Sequence, residues 1–267
     1  MIRPPAVAGR FYPADLLQLQ RQIDELLPRQ TEKIPARACI VPHAGYVYSG
    51  RVAATVYARL KLPSRLILLG PRHYPHGERL AILSDGFWQT PLGQARIDAA
   101  LAAEIKNAFP LLREDAVAHA AEHSLEVQLP FLQRLIPDFS FVPIVLGTDR
   151  FDALEALGHA IAQIIRAHGQ EIMLLTSSDM NHHESDAITR VKDRQAIDAV
   201  LALDARRLYD TVRRESISMC GYAAAVAMLT AMRDLQATKA ELIVYATSAD
   251  VSGDFNSVVG YAGIVVQ

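Results

Sequence analysis

A single α/β domain is expected, with a mostly parallel or mixed central sheet flanked by helices. Two patterns predict it. Strand-like and helix-like segments alternate along nearly the whole chain, which is how a sheet with crossover helices is written in sequence. The runs near residues 38, 66, 141 and 172 are continuously apolar, as strands buried on both faces are. At 267 residues the chain could hold one large domain or two small ones. No linker, repeat or low-complexity tract divides it, so residues 1–267 read as one domain.

Taken in order, Ala8-Gly9-Arg10-Phe11-Tyr12-Pro13 is a compact N-terminal segment. Asp15 caps a helix from Leu16 to Leu27, whose apolar residues recur at helical spacing. A polar connection, Pro28 to Arg37, leads to the strand Ala38-Cys39-Ile40-Val41. Pro42-His43-Ala44-Gly45-Tyr46 follows as a turn, and a helix is expected from Val52 to Leu60. Pro63 ends it. The strand Arg65 to Leu69 runs into Gly70-Pro71-Arg72-His73, and Leu80 to Leu83 is a further short strand. Gly86 to Gly93, with Trp88, reads as an irregular loop.

Helices are expected from Asp98 to Ala108 and from Ala120 to Leu135, the second bent near Pro130. Phe139 to Leu146 is a strand, and Asp149 or Asp152 opens a helix through Ile165. The strand Glu171 to Thr176 ends in Ser177-Ser178-Asp179-Met180-Asn181-His182-His183. Ser185 or Asp186 caps a helix to Leu203, and Asp204 caps the next, to about Arg214. Ser218-Met219-Cys220-Gly221 precedes an alanine-rich helix, Tyr222 to Asp234. Leu242 to Thr247 and Val258 to Val266 pair as a hairpin.

Composition excludes several classes of function. The net charge of −2 supplies no basic field for nucleic acid or an anionic membrane. The longest apolar stretch, Tyr222 to Met232, is well short of the roughly 20 residues that span a bilayer. Met1-Ile2-Arg3-Pro4-Pro5 lacks the apolar run of a signal peptide. Two cysteines, Cys39 and Cys220, do not make a disulfide framework. A cytoplasmic protein with reduced thiols is expected.

Chemistry collects where strands end. In open α/β sheets, sites form at the carboxyl ends of the strands. If the strands at 38, 65 and 171 are parallel, His43, His73, Asp179 and His182 converge on one edge. Cys220 begins a helix, where thiolate character tends to rise. Two histidines and a thiolate make a three-ligand metal set that leaves a position open for water or substrate. Such ligands suit zinc, copper or iron and disfavour magnesium and calcium. His182 is then a fourth ligand or a general base. Each residue alone has a plainer role, since a loop histidine more often hydrogen-bonds than ligates and a free cysteine is usually buried packing. The repetition at strand ends is what favours the site.

A competing motif is His119-Ala120-Ala121-Glu122-His123, which matches the H-x-x-E-H pattern of inverted zinc peptidases. It requires both histidines on one helix face, with the glutamate as base. Otherwise it is a polar helix start lining a cleft.

The chain resembles the Memo family. The resemblance rests on the 8–13 segment, Pro42-His43-Ala44-Gly45-Tyr46, Gly70-Pro71-Arg72-His73, Glu122-His123-Ser124-Leu125-Glu126, Ser177-Ser178-Asp179 with His182, and Cys220-Gly221. These fall in order across nearly the whole chain. Prokaryotic members are called AmmeMemoRadiSam system protein B, and the resemblance implies AMMECR1-type and radical SAM proteins as partners. It also implies a fold similar to class III extradiol ring-cleaving dioxygenases, non-haem iron enzymes with two histidines and a glutamate on the metal. Carried over, His43 and His73 match the two histidine ligands, Cys220 stands at the glutamate's place, and His182 matches the acid/base histidine. A thiolate in place of a carboxylate shifts preference toward softer metals, copper included, so ring cleavage is not carried over. The family is linked to iron and copper, to redox activity and, in animals, to phosphotyrosine peptides. His119 lies outside its pattern.

The expected function is a metal-dependent redox enzyme of unknown substrate, dioxygenase-like, with iron or copper (zinc possible). His43, His73 and Cys220 are the expected metal ligands, and His182 and Asp179 the catalytic residues. Glu122 and His123 are expected to orient ligands or substrate. The alternatives are a non-catalytic metal- or peptide-binding scaffold and, less favoured, a zinc hydrolase on His119, Glu122 and His123. An unknown small molecule or peptide occupies the cleft in either of the first two readings.

Overall fold

The computed structural model describes residues 1–29 and 31–267. The chain enters through β1 (Ile2–Arg3) and α1 (Leu16–Leu26). β2 (Ala38–Val41) leads into α2 (Tyr46–Arg59), and β3 (Arg65–Pro71) leads through β4 (Leu80–Ile82) to a hairpin of β5 (Phe87–Thr90) and β6 (Gly93–Ile97). Next come α3 (Ala99–Ala108), β7 (Arg113–Glu114) and α4 (Ala116–Ala120), then a 3-10 turn, Glu126–Gln128, that runs straight into α5 (Leu129–Leu135). β8 (Ser140–Leu146), α6 (Phe151–His168), β9 (Ile172–Ser177), β10 (His182–Glu184), α7 (Asp186–Leu201), α8 (Ala205–Arg214) and α9 (Tyr222–Asp234) follow. The chain closes with β11 (Ala240–Thr247), α10 (Ala249–Ser252) and β12 (Val258–Val266).

The apolar runs become the middle of one sheet. β8, β3, β9 and β2 lie side by side and parallel, in that order. β12 joins β2 antiparallel and β4 joins β8 antiparallel, so the sheet is mixed. Side chains alternate across it, as a period of two demands. Ile67 and Leu69 of β3 face a core formed with α3, α6, α7, α8 and α9, while Leu66 and Leu68 face a second core under α1, α2 and α5. Cys39 is buried inside β2, the plain packing role expected of it. Burial on both faces leaves chemistry only the strand ends. β11 and β12 pair antiparallel, as expected of the last two strands.

Four local expectations are corrected. α2 starts at Tyr46, not Val52, because the Gly45 carbonyl already accepts the Tyr48 and Ser49 amides. The His43 turn is correspondingly tight. The Gly86–Gly93 stretch is not irregular: β5 lies there, with Trp88 fully buried. Residues 120–135 are not one bent helix. α4 stops at Ala120, and Pro130 sits in the first turn of α5, where its missing N–H has no partner to lose. The 177–183 segment contains the start of a short strand, β10, which pairs with β12. Among the described residues no helix is long and apolar enough to cross a membrane.

One buried carboxyl ties α7 to the strand-end region. Asp193 accepts the Asn181 amide at 2.8 Å and the Tyr245 hydroxyl at 2.7 Å. Its Oδ2 lies against Gly260, where a Cβ would collide with it. Burial pushes this carboxyl up to about 7, although both hydrogen bonds and the Arg190 charge work against that. An unfolded Asp titrates near about 3.9. Between these values the unfolded chain has lost its proton and the folded protein keeps it. The contribution of Asp193 to stability therefore falls as pH rises from about 4 to about 7 and levels off above. In urea unfolding across that range, Asp193→Asn should flatten this slope; a variant with the wild-type slope would exclude Asp193 as its source.

Candidate metal centre

Parallel register brings the first histidine to its partner. Val41 and Ser177 sit opposite each other on β2 and β9. Just beyond, His43 Nδ1 meets Ser177 Oγ at 2.8 Å. That hydroxyl already donates to the Ser124 carbonyl at 2.6 Å and accepts from Gln128 Nε2 at 2.9 Å. It can therefore only accept from His43, so Nδ1 carries the ring proton and Nε2 keeps its lone pair. The His43 amide donates to Asp179 Oδ1 at 2.7 Å.

The second histidine is held from the loop after α4. The His73 amide donates to Glu122 Oε2 at 2.6 Å, and His73 Nδ1 donates to Oε1 at 2.9 Å. Glu122 Oε1 also accepts the Ser124 amide at 2.8 Å. Burial opposes the Glu122 charge, but the His73 and Ser124 donors outweigh it and hold the carboxyl at about 2. Burial likewise lowers His73, yet the Glu122 hydrogen bond and charge leave it raised overall. Its Nε2 is bare, in the carboxylate–histidine arrangement typical of metal ligands.

His123 stands with these two. Its ring stacks on His73 at 4.7 Å and 17° and meets His43 edge-on at 5.6 Å. Phe11 covers it edge-on at 4.7 Å. His123 Nδ1 is buried with no hydrogen-bond partner. Burial and the neighbouring His43 push His123 down to about 4, and burial with His73 also lowers His43. Both are neutral near pH 7, the form that ligates. One ligand nitrogen from each of His43, His73 and His123 lies within 4.8 Å of the others. Metal–nitrogen bonds of about 2.0–2.1 Å would draw them closer by small ring movements. The orphaned nitrogen of His123 and the bare Nε2 atoms of His43 and His73 fit a transition metal.

Cys220 approaches from the other side. Its Sγ is 3.2 Å from His43 Nε2 and accepts the Asp179 amide at 3.3 Å. Gly221 makes this possible, because a Cβ there would strike the Ser177 carbonyl and the Ser178 side chain. The expected thiolate at a helix start is corrected: α9 begins only at Tyr222, and burial with the Asp179 charge pushes the thiol up rather than down. Burial raises the Asp179 carboxyl as well. Cys220 thus lies beside the three-histidine group rather than within it, and His123 lies within it rather than behind it.

His182 is at the margin. Its amide donates to Ser218 Oγ at 2.7 Å and its Nδ1 to the Ser218 carbonyl at 3.0 Å, which leaves Nε2 bare. His119 is elsewhere. It is fully buried, edge-on to Trp88 at 5.7 Å, and burial with Arg3 pushes it down to about 4. Glu122 and His123 follow the end of α4, so the one-face geometry of an inverted zinc peptidase is not formed. The sequence reading also passed over Ser177 and Gln128, which set the His43 tautomer. The one available signal for Ser177 was its place at a strand end.

A sheet whose parallel strands deliver histidines to one edge, with a buried carboxylate behind one of them, defines an α/β protein with a candidate metal site. The family model described as Memo-like protein matches residues 3–265, and the chain belongs to that family. It is similar to a MEMO1 family protein of Methanosarcina barkeri, 41% identical over 270 residues and covering 100% of both chains. It is similar to another of Aquifex aeolicus, 38% identical, covering 99% of this chain and 98% of that one. Among solved structures, an uncharacterized protein of Escherichia coli K12 superimposes with a TM-score of 0.57 at 14% identity, over 85% of this chain and 98% of that one. That likeness speaks to the fold alone.

The loop carrying Glu122 and His123 hangs on Arg3. Its guanidinium donates to the His119 carbonyl (2.7 Å), the Glu122 carbonyl (2.7 Å) and Glu126 Oε2 (2.6 Å). Arg3→Met leaves the buried Glu126 charge unpaired and should cost about 3–5 kcal/mol. The double variant Arg3→Met/Glu126→Gln should recover part of that. Urea unfolding of the single and double variants decides it; a loss under about 1 kcal/mol in the single variant would show the pair to be dispensable.

Proposed function

We propose that this is a metal-dependent redox protein, with iron or copper held by His43, His73 and His123 and the Cys220 thiol as a further donor. One observation carries the reading. Two buried or half-buried imidazoles have their Nδ1 protons committed to internal acceptors, and a third, also buried, has a nitrogen with no partner. That is how ligand histidines are prepared, with the second hydrogen bond choosing the tautomer and aiming the ring. Three ligands leave open positions for a small molecule, and mixed imidazole and thiol donors suit iron, copper or zinc. The metal would supply Lewis-acid or electron-transfer chemistry to whatever occupies the open position.

The protein's own groups would do the rest. His182, with Nδ1–H fixed on Ser218 and Nε2 free, is the group to accept or return a proton. Asp179 orients His43 through its amide and Cys220 through its own. Glu122 fixes His73.

Metal analysis by plasma mass spectrometry of anaerobically purified protein tests the reading. Stoichiometric iron or copper is expected in the wild type, reduced in His43→Ala and His123→Ala. Zinc alone would remove the redox half of the proposal, and no metal in well-folded protein would remove all of it. Glu122→Gln should weaken metal binding by about 10–100-fold, read by competition with a chelator. His182→Ala should keep its metal and lose oxygen uptake with catechol or ascorbate; loss of metal in that variant would make His182 a ligand.

A further inference from the structure

One cavity lies away from the histidines. It opens at the opposite edge of the sheet, where β2 and β9 begin and β12 ends, and has a volume of about 790 Å³. This falls within the roughly 300–1,000 Å³ of small-molecule pockets. Its wall is half polar and half apolar, the apolar part including Ile165, Ile172 and Leu235 and prolines 35 and 63.

Three cations from three separate segments stand around it: Arg37, Lys61 and Arg166. Two are fixed in place. Arg37 Nη1 donates to the Leu235 carbonyl at 3.2 Å, and Arg166 Nη2 to the Asp234 carbonyl at 2.5 Å. Both guanidinium groups therefore lean on the end of α9, and among the described residues their other N–H groups have no protein partner. Among the described residues, none of the three cations has a carboxylate within ion-pair reach. The one acidic side chain of the lining, Asp234, is engaged by His159 Nδ1 at 2.6 Å. Nearby Arg65 shows the contrast, since Asp98 pairs with it at 2.7 Å. Unpaired, pre-positioned guanidinium groups over a half-apolar wall match a ligand with an anionic head and an apolar body.

We propose that this cavity binds a small organic anion, with a phosphate or carboxylate between Arg37, Lys61 and Arg166 and an apolar or aromatic body against Ile165, Ile172 and Leu235. The site is independent of the histidine centre.

Amide chemical shifts of ¹⁵N-labelled full-length protein, titrated with phenyl phosphate, benzoate and inorganic phosphate, test it. Saturable shifts are expected at residues 36–37, 61–62, 165–169 and 234–236 with one or both organic probes. The tighter of the two tells a phosphate head from a carboxylate. Arg37→Glu/Arg166→Glu should weaken that binding by about tenfold or more. Lys61→Glu, whose ammonium has no partner among the described residues, should weaken it too, so the test survives if the double variant folds poorly. His73→Ala should leave it unchanged. Absence of saturable shifts with millimolar probe, binding indifferent to charge reversal, or inorganic phosphate binding as tightly as the organic anions would each overturn the proposal.

Discussion

A carboxylate sealed from water persists only if several donors replace the water. Glu126 is such a group, with no exposed surface. It accepts from Arg3 Nη1 at 2.6 Å, the Ala6 and Val7 amides at 2.7 and 3.0 Å, and the Tyr12 hydroxyl at 2.6 Å. Burial and the adjoining charge push the Tyr12 phenol up, so it stays protonated and donates. The N-terminal segment is thereby closed over the 119–126 loop, and Arg3, stacked on Trp88 at 4.0 Å, grips that loop by two carbonyls. No helix holds Glu122 or His123. Their positions, and through Glu122 the orientation of His73, follow from this one buried charge pair.

The strand-end groups share a single electrostatic condition. Burial lowers His43 and His123 and raises Cys220 and Asp179. Each shift favours the uncharged form. Glu122 and His73, paired with each other, are the exceptions, and their shifts favour the charged forms. A cation placed among these groups inverts the preference, since a coordinating thiol loses its proton and a carboxyl beside it is stabilised as the anion. Metal binding in such a set is therefore coupled to proton release and weakens as pH falls.

What could be read from the chain follows how far each feature depends on local pattern. The inner strands announced themselves as apolar runs, and His43 and His73 could be placed because both immediately follow such a run. Parallel pairing then brought those two to the same edge. The Glu122–His123 loop was hidden by treating 120–135 as one helix. Pro130 held the corrective signal, because proline belongs in a helix's first turn more readily than in its interior. With α5 starting there, the residues before it had to be a turn, free to point two side chains inward. Arg3 left no trace in the pattern. Its importance comes from contacts 116 to 123 residues away, which no local rule reaches.

The contact between Cys220 and His43 constrains any account of the centre. Cys220 Sγ lies 3.2 Å from His43 Nε2, the only nitrogen of that ring with a free lone pair. His123 meets the same ring edge-on. The thiol therefore stands close to where His43 would reach a metal. It has two courses. It can lose its proton and become a ligand, so that the three histidines and one thiolate share the ion, or it can turn aside toward the Asp179 carbonyl, 3.6 Å away. Gly221 fixes the backbone against the Ser177 carbonyl and limits how far the side chain can withdraw. With that restriction, the thiol stays within reach of the His43 lone pair. The cysteine and the extra histidine thus both stand against the His43 ring, one at its Nε2 and one edge-on.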